Sequence, residues 1–105
     1  MEKMVVSNNH PEDLIALGLS GSQAKVYLAL LKNGTSSVRE VAKTASISRP
    51  DTYRSIISLE ELGIVERIIT NPTKFKPLPL KETLSILVSQ KEKQFSDLRK
   101  KADEF

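Results

Sequence analysis

One stretch of the chain, from Ala45 to Gly63, brings cations, hydroxyls and an acid together at helical spacing. Its sequence, A-S-I-S-R-P-D-T-Y-R-S-I-I-S-L-E-E-L-G, predicts a turn followed by a helix over residues 48–62. Ser48 is a suitable N-cap because Asp51 follows three residues later, and Gly63 is a suitable C′ residue. Arginine, serine and threonine side chains are groups that meet phosphates and base edges. The stretch therefore has the layout of a helix that enters a DNA groove.

The two faces of this helix are predicted to differ. An interval of three residues predicts one buried apolar stripe, made of Tyr53, Ile56, Leu59 and Leu62. The opposite face would then present polar groups to DNA, namely Ser48, Arg49, Asp51, Thr52, Arg54, Ser55 and Ser58. We expect base discrimination to rest on Arg49 and Arg54, because arginine can form a bidentate contact with guanine.

Helices earlier in the chain must support this one, because its apolar stripe needs a surface on which to pack. A short helix is predicted over residues 11–17, where a proline suits the first turn. A second helix is predicted up to Lys32, and it opens with a capping box of Ser20 and Gln23. Tyr27 lies on the wide apolar face of this helix, so we expect it in the core.

A third helix, over residues 38–45, opens with a further capping box. It has about two turns and is too short to be stable alone, so it must pack against its neighbours. Because a turn of a few residues joins it to helix 48–62, the pair is a helix-turn-helix arrangement, with a plain helical hairpin as the simpler alternative. Arg39 and Lys43 on the third helix are predicted to contact phosphates.

Beyond Gly63 the pattern changes from helical to extended. A β-branched run and a second extended piece flank a turn at Asn71 and Pro72, which predicts a two-stranded hairpin over residues 64–78. Lys74 and Lys76 would make this hairpin a wing that contacts DNA. For Arg67, within the first strand, a DNA contact and a structural role both remain open.

Residues 80–105 return to a helical pattern with an apolar seam at heptad spacing. One lysine, Lys91, interrupts the seam and is expected to extend its charge to solvent. We predict that two copies of the chain pair along this seam, and the alternative is that the helix folds back on its own domain. The predicted dimerisation residues are Leu84, Val88, Phe95, Leu98, Ala102 and Phe105.

The composition limits the classes of function. The chain has 105 residues, of which 39% are hydrophobic and 28% charged, which is typical of one folded domain. There is no cysteine and one isolated histidine, His10, so neither an enzyme site, a metal site nor a cofactor is expected. No apolar run is long enough to span a bilayer, and no signal peptide is evident, so we expect a cytoplasmic protein without a membrane partner. The net charge of +3 permits DNA binding without requiring it.

The chain resembles the TrmB-type winged helix-turn-helix transcriptional regulators, found mainly in archaea, in four segments: L-G-L-S-G-S-Q-A-K-V-Y-L-A-L-L-K-N-G, V-R-E-V-A-K, I-S-R-P-D-T-Y-R-S-I and L-E-E-L-G-I-V-E. The resemblance covers residues 11–79. It implies a dimer on operator DNA, with helix 48–62 in the major groove and the wing on the backbone or minor groove. Ser46 departs from it, because such turns often have glycine there. Larger members also carry a C-terminal sugar-sensing domain. No stretch of this sequence has the features of one, so the resemblance assigns no effector.

The sequence therefore predicts a mainly α protein with a small β-hairpin, organised as a flexible tail (residues 1–10), a winged helix-turn-helix (11–79) and a long dimerisation helix (80–105). Its expected function is sequence-specific regulation of transcription by a homodimer on double-stranded DNA. Two alternatives remain open. One is a winged helix that binds another protein of the transcription machinery, and the other is an architectural DNA-binding protein, for which a larger positive charge is typical.

Overall fold

The computed structural model describes residues 11–105, which form helices around a small three-stranded antiparallel sheet. The predicted fold class is confirmed, and the chain ends in a long helix. The predicted tail 1–10 and His10 lie outside the described residues. In chain order the elements are α1 (Pro11–Ala16), α2 (Gly21–Asn33), β1 (Ser36–Ser37), α3 (Val38–Ala45), α4 (Arg49–Leu62), β2 (Val65–Ile68), β3 (Lys74–Pro77) and α5 (Leu80–Asp103).

The helix starts follow the predicted capping signals. The hydroxyl of Ser20 accepts a hydrogen bond from the backbone N–H of Gln23 at 3.1 Å, and the Gln23 amide oxygen accepts one from the Ser20 N–H at 2.7 Å. Ser37 and Glu40 form the same reciprocal pair at the start of α3. The Ser37 backbone N–H that binds the Glu40 carboxylate lowers the pKa of Glu40. These pairs satisfy N–H groups that a helix start would otherwise leave without partners.

The turn between α3 and α4 depends on one residue in a left-handed conformation. Ser46 has φ 57° and ψ 46°, and its backbone N–H donates to the carbonyls of Ala42 and Lys43 at the end of α3. A side chain in this region is strained, because its Cβ lies close to the backbone, and glycine avoids that contact. The absence of glycine at this turn therefore has a cost in stability.

Replacing Ser46 with glycine is expected to stabilise the protein by up to about 1 kcal/mol, since relief of the left-handed strain outweighs the greater freedom of glycine in the unfolded chain. Chemical denaturation would measure the change. Ser89→Gly is the matched control, because Ser89 is exposed within α5, and there glycine should destabilise by about 0.5 kcal/mol. Equal effects at both positions would contradict the strain at Ser46.

The core lies between α2, the helix-turn-helix and the sheet. Tyr27 and Phe75 are its largest fully buried side chains. As predicted, Tyr27 belongs to this core, and its hydroxyl donates a hydrogen bond to the carbonyl oxygen of Leu78 at 2.7 Å. Burial raises the pKa of Tyr27. This bond ties α2 to the segment that leads from the sheet into α5.

The hairpin is confirmed, and it belongs to a larger sheet than the predicted one. The strand order is β1-β3-β2, with both pairs antiparallel. Ser36 is paired with Phe75, and Arg67 is paired with Phe75 from the other side. The two-residue strand β1 has no strand signal in the sequence, because its partner lies almost forty positions away along the chain. The third strand ties the wing to the helix-turn-helix at Lys74 and Phe75.

The face of α4 that is buried in the structure differs from the predicted one. Thr52 is fully buried and Ser55 is 7% exposed, whereas Tyr53, predicted in the buried stripe, is 43% exposed. An interval of three residues shifts by about 60° around a helix of 3.6 residues per turn, so a stripe at strict threes cannot stay on one face. The buried set is Thr52, Ser55, Ile56 and Leu59. Thr52 and Ser55 therefore pack inside the domain and are unable to contact DNA.

The Thr52 hydroxyl is buried without a hydrogen-bond partner. Valine has nearly the same shape and no polar group, so Thr52→Val should stabilise the protein by about 1 kcal/mol and raise the melting temperature by roughly 4–8 °C. Thr35→Val at an exposed position is the control, and there the effect should stay within about 0.5 kcal/mol. A destabilised Thr52→Val protein would show that the hydroxyl has a partner.

Helix α5 packs on the domain with its first part only. Thr83 and Leu87 are buried, and Leu80, Leu84 and Ile86 pack partly against the core. From Val88 to the end of the chain every residue is exposed. Among the described residues, no helix is long and apolar enough to cross a membrane.

Candidate nucleic-acid interface

The exposed side of α4 is cationic and carries one internal ion pair. Arg49, Asp51 and Arg54 are exposed. The guanidinium of Arg54 pairs with the carboxylate of Asp51, and these side chains are 72% and 51% exposed. Three residues separate them, which places them on neighbouring positions of one helix face. Asp51 therefore orients the Arg54 guanidinium on the outer face of α4.

The two remaining hydroxyls of the predicted DNA-facing set are engaged in local hydrogen bonds. The Ser48 side chain accepts from the backbone N–H of Asp51 at 3.2 Å, which confirms it as the N-cap of α4. The Ser58 hydroxyl donates to the carbonyl oxygen of Arg54 at 3.2 Å. Ser58 also lines a cleft between α4 and α5 with Glu61 and Lys91. It thus lies toward α5 rather than toward the outer face.

Helix α3, which precedes α4 in the chain, also carries exposed cations. Arg39 and Lys43 are both exposed, and their spacing of four residues places them on one face of α3. Lys43 lies in the last turn of α3, where its charge is favourable beside the negative end of the helix. The structure therefore places exposed cations on both helices of the helix-turn-helix.

The wing lysines lie on the outer face of the sheet and have acidic neighbours. Lys74 and Lys76 are exposed and flank buried Phe75, so they point away from the core. Lys76 is directly opposite Glu66 in the register of β2 and β3. Lys74 lies close enough to Glu40 to lower the pKa of that carboxyl, although the bond from Ser37 is the larger cause. The wing is therefore less positive than its two lysines suggest.

Arg67, which the sequence leaves open, faces α4 from strand β2. Its guanidinium makes two hydrogen bonds with the carboxylate of Glu60, at 3.0 and 2.9 Å. Hydrogen bonds with Glu60 and then Tyr53 raise the pKa of Arg67, and the bond from Arg67 lowers the pKa of Glu60. The guanidinium carbon also lies 5.2 Å from the centre of the Phe75 ring. These interactions favour the structural role.

Tyr53 is exposed on α4, although the sequence-based prediction placed it in the buried stripe. It lies on the exposed side of α4, beside Arg67 of the wing strand. The signal that could have found it is the spacing of Thr52, Ile56 and Leu59, at intervals of four and three, which keeps those residues on one face and turns Tyr53 outward. A tyrosine there can stack or donate a hydrogen bond at the edge of the interface.

Residues 11–105 contain no cluster of three or more histidine, cysteine, aspartate or glutamate residues able to hold a metal ion.

A helix-turn-helix with exposed cations on both helices, followed by a β-hairpin wing, defines a winged helix DNA-binding protein of transcription regulation. Residues 14–81 match the family described as "Sugar-specific transcriptional regulator TrmB". The chain belongs to this TrmB family. TrmB-family proteins with the winged helix fold are DNA-binding transcriptional regulators and not enzymes.

One protein of known sequence and two solved structures are similar to this chain. The uncharacterised protein MJ1503 of Methanocaldococcus jannaschii is 27% identical over 93 residues, which cover 83% of this chain and 70% of that protein. The fold is similar to that of TrmBL2, an archaeal chromatin protein, with a TM-score of 0.75 and 24% identity over 93% of this chain. A possible transcriptional regulator from Methanosarcina mazei matches with a TM-score of 0.68 and 18% identity over 90% of this chain and 87% of its own. The chain spans 41% of the length of TrmBL2.

Proposed function

We propose that this protein is a sequence-specific regulator of transcription that binds double-stranded DNA as a homodimer. Residues 11–79 form the DNA-binding unit, with α4 in the major groove and the wing over 64–78 on the backbone or minor groove. Residues 80–105 form the dimerisation helix, which pairs through its part beyond Lys91, because Leu84 packs against the core of its own domain. Thr52 and Ser55 are not part of the DNA-facing set, because both are buried.

The observation that carries this proposal is the shared exposure of Arg49 and Arg54 on the helix that follows the turn. In this fold that helix enters the major groove, where a bidentate arginine recognises guanine. Arg39 and Lys43 on α3, with Lys74 and Lys76 on the wing, supply phosphate contacts. Binding should therefore weaken steeply as the salt concentration rises.

The exposed end of α5 supports pairing of two copies. Phe95 and Leu98 are each 64% exposed, and Phe105 is fully exposed. Large apolar side chains in a row at heptad spacing are costly in water and are typical of a helix with a partner. Lys91 interrupts the row, and its Cε lies 3.5 Å from the position that a Cβ on Gly18 would occupy. Its stem thus rests on the turn between α1 and α2, and pairing would use the helix beyond it.

Selection of bound duplexes from a random library, at one fixed salt concentration, tests this function. Enrichment of one palindrome, with half-sites about one helical turn apart, is the expected result for a specific dimer. The double variant Arg49→Ala/Arg54→Ala is the control and should enrich nothing. Binding without enrichment would favour an architectural DNA-binding protein; TrmBL2 is described as a chromatin protein. Absence of binding would favour a winged helix that binds another protein.

A further inference from the structure

Glu60 and Arg67 join α4 to the wing through a bidentate pair. Glu60 lies in the last turn of α4 and Arg67 in the middle of β2. The Nε and Nη2 atoms of Arg67 each donate to a different oxygen of the Glu60 carboxylate, at 3.0 and 2.9 Å. Two parallel bonds between planar groups fix their relative orientation as well as their distance. This pair can therefore set an angle between two elements.

Two other side chains, one from α4 and one from the sheet, lie next to the Arg67 guanidinium. Tyr53, two helical turns before Glu60, lies beside the guanidinium and adds to the raised pKa of Arg67. The Phe75 ring lies on the side of the sheet, and Phe75 is 1% exposed. Glu60 thus takes two of the five N–H donors of Arg67, which leaves fewer donors for a phosphate.

Arg67 also has a particular place along the hairpin. Alternation along β2 puts Val65 and Arg67 on the inner face, where Val65 is part of the buried core. The next residue of that alternation, Ile69, is 81% exposed. Arg67 is thus the last inner-face side chain of β2 that contacts α4 before the wing tip. Strand β1 already holds β3 up to Lys74, so this pair would act on the outer strand β2 and, through β2, on the tip.

We propose that Glu60 and Arg67 are positioning residues for DNA binding, because their pair holds the wing at a fixed angle to α4. This clamp, defined as Glu60, Arg67 and Tyr53, places the wing tip so that it meets the backbone while α4 occupies the groove. Arg67 itself does not contact DNA. The expected effect on DNA binding rests on the proposed function, whereas the expected effect on the position of the wing does not depend on it.

The substitution Glu60→Gln distinguishes a positioning role of Arg67 from a direct contact with DNA, because the two roles predict opposite changes in DNA affinity. If Arg67 contacted phosphate, removing the anion that holds it would free the guanidinium and raise affinity. For a clamp, Glu60→Gln lowers affinity for the selected duplex about three- to tenfold, since a charge-assisted bidentate pair is replaced by weaker bonds. The slope of log K against log salt should also become shallower by roughly 0.9 for each phosphate that the wing no longer reaches. Increased affinity would overturn the proposal.

Two further variants control the comparison. Glu61→Gln makes the same charge change one residue away, at an exposed position, and should leave affinity unchanged or slightly higher. Arg67→Lys keeps the positive charge but loses the planar fork, and it should reduce affinity as Glu60→Gln does. Retention of full affinity by Arg67→Lys would show that charge alone matters, which would overturn the clamp.

A measurement without DNA makes the outcome independent of the proposed function. Backbone ¹⁵N relaxation of the free protein should give ordered wing-tip amides at residues 69–73 in the wild type, and order parameters below about 0.6 in Glu60→Gln. The Glu61→Gln spectrum should match the wild type. An unchanged tip in Glu60→Gln would reject the clamp even if DNA binding were abolished. Failure of the wild type to bind any duplex would reject the proposed function and leave the relaxation result to decide the clamp.

Discussion

Replacing Arg54 with alanine should lower affinity for the selected duplex by roughly 5- to 150-fold, because a bidentate arginine contact with guanine contributes about 1–3 kcal/mol. The side chain is 72% exposed, so its removal leaves the core intact. Its pair with Asp51 is an exposed ion pair, which contributes little to folding. The melting temperature should therefore remain nearly unchanged. Fluorescence anisotropy with the selected duplex, next to a thermal melt, would measure both quantities.

Matched variants show whether the Arg54 effect is specific. Lys100→Ala removes one positive charge from an exposed site on α5 and should leave affinity nearly unaltered. Lys43→Ala should weaken binding to all duplexes alike and reduce the salt slope by about 1, whereas Arg54→Ala should relax the preference at one base position. Unaltered binding by Arg54→Ala would remove the outer face of α4 from the DNA interface.

Replacing Leu98 with glutamate should convert the protein to monomers. In a paired helix the substitution would bury two carboxylates in an apolar seam, and an uncompensated buried charge costs roughly 3–5 kcal/mol. The dissociation constant should rise by two orders of magnitude or more. In the single chain Leu98 is 64% exposed, so folding of each domain should be unaffected. Sedimentation velocity at micromolar concentration would give the mass of the species.

Ser96→Glu supplies the control for this prediction. Ser96 is also exposed on α5, and two positions along a helix place it roughly 160° away from Leu98. The same charge on that side should leave the dimer intact. A wild-type protein that already sediments as a monomer would refute pairing through α5. DNA affinity should fall together with dimer formation, because a single α4 helix covers too few base pairs to select an operator.

Elements governed by neighbouring residues were predictable from the sequence. The two capping boxes, the start of α4 at Ser48 and its end at Gly63 depend on groups within a few positions, and the structure confirms each of them. The bounds of α3 are the predicted ones. These features depend on local hydrogen bonds and on the ability of glycine to adopt positive φ, so they could be predicted without knowledge of the fold.

Features that depend on distant partners were not predictable in the same way. Strand β1 exists because Ser36 and Ser37 meet Phe75 and Lys74, far away in the chain. The orientation of α4 depends on its packing against α2 and α3, and it buries a threonine where the apolar pattern favoured a tyrosine. A small polar residue can satisfy a tight helix contact, so its burial is set by the neighbouring helices and not by its own polarity. For this reason the predicted cations are exposed, whereas two of the predicted hydroxyl residues, Thr52 and Ser55, are buried.

The uninterrupted course of α5 has a mechanical consequence for a dimer. Leu87 is fixed in the core of the domain, and the same helix continues to Asp103 without a break. That length is about 24 Å at 1.5 Å per residue. A rotation of about 10° at the packed end would move the far end by roughly 4 Å, so α5 acts as a lever arm between the two DNA-binding units. Repacking around Leu87 would then change the half-site spacing that the dimer accepts, without altering a residue that touches DNA.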